Sequence, residues 1–407
     1  MTNPAADEAF IIIRGRGRVS ALDAQPDATT SPFSTHPNRL PVAALPAATE
    51  AAVEELRRTH SAYRQLDRTV LLAMLAARRA SVAAGWRLTS SSASSPTPDQ
   101  PLVPTLSVSI GSSRGATHHL EHYHEEFLRA GTVPPAASPL TTLGNVASWV
   151  AFDAGSLGGA MLSHSSTCSS AFQALGNAVA WLRADMATHF LAGGAEAPLT
   201  DFTLAQMQAI GIYSPLTAEE WPCRPGAGRP STFVLGEGAA VFALEKVAAS
   251  VAIAAATRQP LFRLESVGFG FEAIGSKTGL SADGQHFQMA IRQALQQAGK
   301  QPEEVDALVL HSPGTPAGDA AERRAIDAVF GAAAPFLLSN KWLIGHTLGA
   351  SAALSLDFAL HVLEQQQWPA PPFATYLATT PERPIRRILV NAAGFGGNAA
   401  SALVSLV

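Results

Sequence analysis

In the stretch Met161-Leu-Ser-His164-Ser-Ser-Thr-Cys168-Ser-Ser-Ala171, an apolar strand expected over 159–163 passes through small polar residues into a helix expected from 169 to about 183. A strand that turns into a helix is the unit from which α/β folds are built. The turn also sets the cysteine at the start of the helix, where unpaired backbone N–H groups and a partial positive charge favour thiolate over thiol. Most free cysteines are small buried apolar side chains, so this turn alone leaves both readings of Cys168 open.

Outward from that turn the same alternation recurs. Upstream, 10–13 reads as a buried first strand, 67–84 as a helix with Val70, Leu71, Met74 and Leu75 at helical spacing, and 106–110 as a strand. A Ser/Pro/Thr-rich stretch over 85–104 reads as a surface loop and 118–129 as a polar helix. Downstream, strands over 188–192 and 233–244 close a first half. From Leu261 the order repeats: strand 264–271, helix 283–298, strand 307–310, helix 317–330, a short strand around Leu337, helix 347–364, and strands 387–392 and 401–406. Strands alternating with helices at this spacing predict βαβ units and mainly parallel sheets. Repetition of one order predicts a duplicated α/β fold, with two unrelated α/β domains as the alternative that periodicity leaves standing. The length agrees with either, because 407 residues exceed the roughly 250–300 at which a single core stops growing.

Hydrophobic residues make up 47% of the chain and charged ones 15%, which excludes a disordered tail protein. A net charge of −4 offers no field for polyphosphate, so nucleic acid is not an expected partner. No run approaches the roughly 18 apolar residues of a membrane span, and no secretory pattern is expected at the N-terminus. Cys168 and Cys223 form no ligand-spaced set, so neither a disulfide framework nor a structural zinc site is expected, and a cytoplasmic setting is. Arg14-Gly-Arg16-Gly-Arg18, after the first apolar run, reads as a solvated turn. Only four of the 28 basic residues are lysines: Lys246, Lys277, Lys300 and Lys341.

Two histidines stand at strand ends in the second half. His311 opens the turn-rich Ser312-Pro-Gly-Thr315-Pro-Ala-Gly-Asp319, and His346 follows Asn340-Lys341-Trp-Leu-Ile-Gly345. Singly, each reads equally as a hydrogen-bonded structural histidine. A nucleophilic cysteine with two histidines in equivalent loops can attack a thioester and then stabilise the charge of an enolate. Gly394-Phe395-Gly396-Gly397 could bring backbone N–H groups to a reacting carbonyl, or be only a tight turn between strands. Cys223, within Trp221-Pro-Cys-Arg-Pro225, has no comparable setting and reads as structural.

In this order the motifs resemble those of the β-ketoacyl synthase family of thiolase-like condensing enzymes, of the elongating Cys-His-His type. They are Asp67-Arg-Thr69, Ser166-Thr-Cys168-Ser-Ser170, Leu191-Ala-Gly-Gly-Ala-Glu196, Phe233-Val-Leu-Gly-Glu-Gly238, His311 to Asp319, Lys341 with His346 five residues on, and Gly394 to Gly397. The resemblance implies a duplicated thiolase-like α/β fold in five layers, αβαβα, with 1–250 carrying the nucleophile and 251–407 the histidines and the lysine. It implies that Cys168 takes an acyl chain from an acyl carrier protein. His311 and His346 would promote decarboxylation of a malonyl thioester and stabilise the enolate, while Lys341 orders the cluster with Glu322 as a carboxylate near it. The N–H groups of Cys168 and Phe395 would form the oxyanion hole, with the Phe395 side chain as a gate. Thr315 is the implied pantetheine contact, Gly396 a further substrate contact, and Met207, Phe202 and Ile210 the acyl wall. No metal or organic cofactor is implied. The implied partners are the acyl carrier protein with its phosphopantetheine-linked groups, and either a second copy or a second ketosynthase-like subunit.

Departures from the family pattern point to a specialised fatty acid, polyketide or polyene pathway. Ser312 and Pro313 replace the Gly and first Thr of the usual His-Gly-Thr-(Gly/Ser)-Thr, so only Thr315 keeps a hydroxyl for pantetheine. Asn398-Ala399 replaces Thr-Asn, and Arg224-Pro-Gly-Ala-Gly228 lacks the usual acidic and aromatic residues. Ser and Thr residues around Cys168 predict a pocket tolerant of unsaturated or oxygenated chains. Among rivals, a thiolase needs a second cysteine late in the chain, and an initiating condensing enzyme has Asn where His346 stands. A non-catalytic, chain-length-factor-like partner subunit commonly lacks the cysteine present here. His118 and His122 on one helix face, with Glu121 and Glu125, form a weak metal-site pattern without a distant ligand.

Overall fold

The computed structural model describes residues 8–23, 30–86, 105–258, 260–273, 281–381 and 383–407. Most of the Ser/Pro/Thr-rich stretch read as a loop, 87–104, lies outside the described residues. The first half of the main sheet contains β1 (Ala9–Ser20), β2 (Ser107–Gly111), β3 (Met161–His164), β4 (His189–Glu196) and β5 (Gly238–Ala248). The second contains β6 (Phe262–Phe271), β7 (Ala307–Val309), β8 (Phe336–Leu338), β9 (Arg387–Gly394) and β10 (Asn398–Leu406). The helices that matter for the site are α1 (Arg68–Ala83), α2 (Thr117–Ala130), α3 (Ser170–Arg183), α4 (Asp201–Ala209), α5 (Gln285–Ala298), α6 (Pro316–Phe330) and α7 (Ser351–Gln365).

The ten strands lie in the order β8-β7-β9-β10-β6-β1-β5-β4-β2-β3. Read outward from the middle, each half follows one pattern: first strand, fifth, fourth, second, third. The fold is therefore duplicated, with a short antiparallel pairing of β1 and β6, Ile12 to Arg263 and Ile13 to Phe262, joining the halves. The expectation of mainly parallel sheets is corrected. Parallel pairs are confined to the outer strands, β2 with β3 and β4, and β7 with β8 and β9. The inner strands pair antiparallel: β1 with β5 and β6, β4 with β5, β6 with β10, and β9 with β10. β9 and β10 are separated only by 395–397, too short for anything but a hairpin.

Helices α3 and α7 touch each other and both halves of the sheet, so they form the middle of five layers. The chain is written for that position: every residue from Ser351 to Leu360 is buried, as a helix enclosed on all sides requires. On the outer faces α1 covers β1 and β5, and α5 covers β6 and β10. Close approach in these outer layers depends on glycine. A Cβ on Gly17 would stand 2.0 Å from the Ala76 carbonyl oxygen of α1, and one on Gly270 would stand 2.0 Å from that of His286 in α5.

That packing overturns the reading of Arg14-Gly-Arg16-Gly-Arg18 as a solvated turn. Strand β1 continues through it, glycines toward α1 and arginines toward acidic partners remote in sequence. Arg14 pairs with Glu245, Arg16 donates to Glu364 at 2.9 Å, and Arg18 donates to Asp357 at 3.2 Å. Asp357 and Glu364 lie on α7, so this stripe of charge couples the first half to the second. The strand expected over 233–244 also changes: regular pairing begins at Gly238, and 233–237 leaves the sheet to bridge Leu235 to His346. The helix expected from 347 starts at Ser351, after a tight turn at Leu348–Ala350. Both adjustments serve His346.

Candidate active site

The turn between β3 and α3 is built by its own hydroxyls. Thr167 sits at φ 54°, a region a β-branched residue enters only under constraint. Ser166 N donates to Ser170 Oγ at 2.9 Å, while Ser169 Oγ and Thr167 Oγ1 donate to the Ser166 carbonyl at 2.8 and 2.7 Å. These side chains therefore hold the turn and do not offer the polar acyl surface expected of them. The last residue of β9 presses on the same turn, where a Cβ on Gly394 would lie 1.8 Å from Thr167 Oγ1 and 2.9 Å from Cys168 N. Only glycine lets the Phe395 turn approach the cysteine this closely.

Cys168 is 9% exposed. Burial pushes its thiol up to about 12, Glu196 adds to the rise, and Lys341 and Arg114 oppose it. The expected resting thiolate is thus corrected: desolvation of the anion outweighs the helix end, and the resting group is a thiol. Activation has to come with the approach of a base.

His311 and His346 meet edge to face with ring centroids 5.2 Å apart. The segment 234–236 grips the backbone of His346, whose N–H donates to Val234 O at 2.7 Å and whose carbonyl accepts from Gly236 N at 3.1 Å. Leu348 N donates to His346 Nδ1 at 3.1 Å. A ring nitrogen that accepts must be unprotonated, so neutral His346 carries its proton on Nε2 and presents it as a donor. Burial, aided by Lys341, pushes His346 down to about 3. Burial, then His346, Lys341 and His286, push His311 well below its ordinary value. Both imidazoles are neutral at physiological pH. Among the described residues the His311 ring makes no hydrogen bond, so its basic nitrogen is available.

Lys341 is buried and donates to Ser355 Oγ at 2.8 Å; burial pushes its ammonium down to about 8 while Glu322 pulls the other way. Glu322 faces this cation electrostatically, but its contacts lie elsewhere. Its oxygens accept from His311 N at 2.9 Å, Ser312 N and Ser312 Oγ at 2.7 Å each, and Asn391 Nδ2 at 3.0 Å. The departure at Ser312 thereby acquires a role, since its hydroxyl helps seat Glu322 under the His311 loop. Asp319, at the end of the His311 loop motif, accepts from Gly226 N at 2.9 Å and Gly314 N at 3.2 Å. It pins the Arg224–Gly228 loop to the His311 loop; an aspartate inside the first turn of a helix was the available signal.

Cys168, His311, His346, Thr315 and Phe395 open onto one cavity of about 470 Å³. Of the expected acyl wall, Met207 and Ile210 line it. Phe202 does not: it is 60% exposed and faces a separate groove against α2. At roughly 100° per residue, positions 202 and 207 of α4 lie on well-separated faces, and only the Met207 face meets the cavity. Gly396 is exposed at the hairpin tip, outside the cavity lining. Wall residues that the sequence reading missed are Ile212, Phe233, Phe287 and Leu348. Phe233 contacts the His346 ring at 5.4 Å and Phe287 the His311 ring at 6.2 Å. These two aromatics stood inside an expected strand and an expected helix, where core packing explained them equally well.

Among the described residues no group of three or more His, Cys, Asp or Glu side chains could hold a metal ion, including those of α2. No helix is long and apolar enough to cross a membrane among the same residues.

Two family models match the chain: the beta-ketoacyl synthase N-terminal domain over residues 11–250 and the beta-ketoacyl synthase C-terminal domain over 263–372. A 3-oxoacyl-[acyl-carrier-protein] synthase 2 from Staphylococcus aureus (strain COL) is 29% identical over 327 residues, 78% of this chain and 73% of that protein. Similar folds occur in the ishigamide ketosynthase/chain length factor, with TM-score 0.82 and 21% identity over 99% of this chain and 100% of that one. Another is a ketosynthase solved with its type II polyketide acyl-carrier protein and bound to the hexaketide, with TM-score 0.80 and 20% identity over 99% and 100% of the two chains.

Proposed function

Since this chain belongs to the β-ketoacyl synthase family, we propose that it catalyses decarboxylative Claisen condensation between an acyl chain held on Cys168 and malonyl-acyl carrier protein. The observation that carries this reading is the convergence of one buried thiol and two neutral imidazoles on a single cavity. In the first half-reaction His311, whose ring makes no hydrogen bond among the described residues, takes the proton of the Cys168 thiol as sulfur attacks the acyl thioester, and the carrier thiol leaves with that proton. In the second, malonyl thioester loses carbon dioxide, and the electron pair released forms an enolate. His346 Nε2–H donates to its oxygen. The enolate carbon attacks the Cys168 thioester, the oxyanion draws on the N–H groups of Cys168 and Phe395, and collapse expels the cysteine sulfur as a thiolate, which takes a proton from water to restore the resting thiol. Lys341 and Glu322 keep the His311 and His346 loops in register.

We assign the nucleophile to a half spanning 1–250 and the histidines and lysine to 251–407. The phosphopantetheine arm of an acyl carrier protein would enter past Thr315, and assembly would be with a second copy or a second ketosynthase-like subunit. A cavity walled by Met207, Ile212, Phe233 and Leu348 supports an apolar chain, so a specialised fatty acid or polyene pathway fits better than a heavily oxygenated polyketide. The test is condensation by the purified protein with malonyl carrier protein and acyl primers graded in length and unsaturation. Product with wild type and none with Cys168→Ala supports the reading. No condensation with any primer, alone or with a candidate partner subunit, overturns it and leaves the chain-length-factor role.

A further inference from the structure

Strand β4 ends at Glu196, a carboxylate with no solvent exposure. Its Oε1 accepts from Ser112 Oγ at 3.0 Å and Arg114 N at 3.1 Å; its Oε2 accepts from Ser113 N at 2.6 Å and Gly349 N at 2.9 Å. Burying a charge is costly unless its lone pairs are filled. Here the donors come from two places. Ser112, Ser113 and Arg114 follow β2 in the first half, and Gly349 belongs to the turn leading into α7 in the second. That turn also supplies Leu348 N to His346 Nδ1. The fit is close, because a Cβ on Gly349 would stand 2.3 Å from Ser113 N and 2.6 Å from Glu196 Oε2.

The chemistry demands a carboxylate. Every partner is a donor, and only a carboxylate accepts on both atoms; a glutamine would turn an NH2 group toward backbone N–H. The charge has a second effect, since Glu196 is the largest electrostatic influence raising the Cys168 thiol after burial itself. Its own carboxyl is pushed up to about 7 by burial, against the pull of its four donors.

Resting on the condensing reading above, we propose that Glu196 is a positioning residue of the reaction: its carboxylate clasps the His346 turn to the first half of the molecule, and so fixes the tautomer and location in which His346 Nε2–H serves the malonyl thioester. The clasp then weakens on its loss while the nucleophile does not. In Glu196→Gln, carbon dioxide release from malonyl-pantetheine falls by about tenfold or more, part of the roughly 10²–10⁴-fold that a positioned proton donor contributes. Alkylation of Cys168 by iodoacetamide at pH 7.5 is unchanged or faster, because a charge disfavouring the thiolate is gone. Ser112→Ala, which removes one donor and leaves the carboxylate, shows the same pattern at about two- to fivefold. Hydrogen–deuterium exchange reads the clasp independently of turnover: slow over 346–350 and 112–114 in wild type, faster in Glu196→Gln. Decarboxylation within twofold of wild type, or exchange equal to wild type, overturns the proposal. A parallel fall in decarboxylation and alkylation also overturns it in favour of a purely structural role. Wild type that releases no carbon dioxide but shows the exchange difference sinks the condensing function and leaves Glu196 a structural tie.

Discussion

Lys341→Met removes the one buried lysine among the described residues, and the structure gives the expected change a size and a sign. The ammonium is held at a pKa of about 8 against an ordinary 10.5, burial being the main cause. At about 1.4 kcal/mol per unit, keeping it charged inside the protein costs about 3 kcal/mol. The folded pKa is depressed, so between pH 8 and 10.5 the unfolded chain binds more protons than the folded one, and stability rises with pH across that window. Below pH 8 the full penalty is present. Methionine has similar length without the charge. It forfeits the bond to Ser355 and the cation facing Glu322, but Glu322 keeps its four donors. Lys341→Met should therefore be more stable than wild type at pH 7 by about 1–3 kcal/mol, and its advantage should shrink toward pH 10. Condensation should fall at the same time, because Lys341 lowers the pKa of both histidines. Urea unfolding followed by tryptophan fluorescence at half-unit steps from pH 7 to 10.5 measures this, with changes common to both proteins cancelling in the difference. A variant less stable than wild type at pH 7, or a difference that stays flat across the window, would refute the reasoning.

With the Cys168 thiol pushed up to about 12, iodoacetamide labelling of the unacylated protein should rise steadily from pH 7 to 10; a plateau below pH 8 would mean a resting thiolate. Met207→Trp fills the cavity wall and should shorten the longest primer accepted, whereas Phe202→Ala, altering an exposed residue outside the cavity, should leave the primer range unchanged; a shift with Phe202→Ala in the purified homogeneous protein would show that the acyl path runs along the α2 groove.

The catalytic set was readable because each member follows an apolar run. Cys168 and His311 lie just beyond the ends of β3 and β7, beside the neighbouring strand ends. His346, read as standing at a strand end, instead follows a short helix over Lys341–Ile344 and is held there by the bridge from Leu235. The acyl wall was less readable. Phe202 and Met207 are both large and apolar in the right segment, and which face of α4 meets the cavity depends on how that helix is laid against the molecule. Phe233 and Phe287 carried no functional mark at all. A phenylalanine in a core and one lining a pocket look the same in sequence, since each is chosen for burial. The arginines of β1 misled for a related reason: Asp357 and Glu364, which let them stay within a strand, lie more than 330 residues away.

The sequence by itself determined the order of the main strands along the chain and which side chains could do chemistry, because periodicity, turn residues and motif spacing are local properties of the chain; the duplication, which periodicity left open, was decided by the order of strands in the sheet. Tertiary structure alone decided the states of those side chains. Whether Cys168 rests as thiol or thiolate depends on desolvation by distant segments, and which nitrogen of His346 holds the proton depends on the Leu348–Ala350 turn folding back to donate to it. A helix end is written in a dozen consecutive residues; the burial that overrides it at Cys168 is supplied by both halves of the molecule closing on each other.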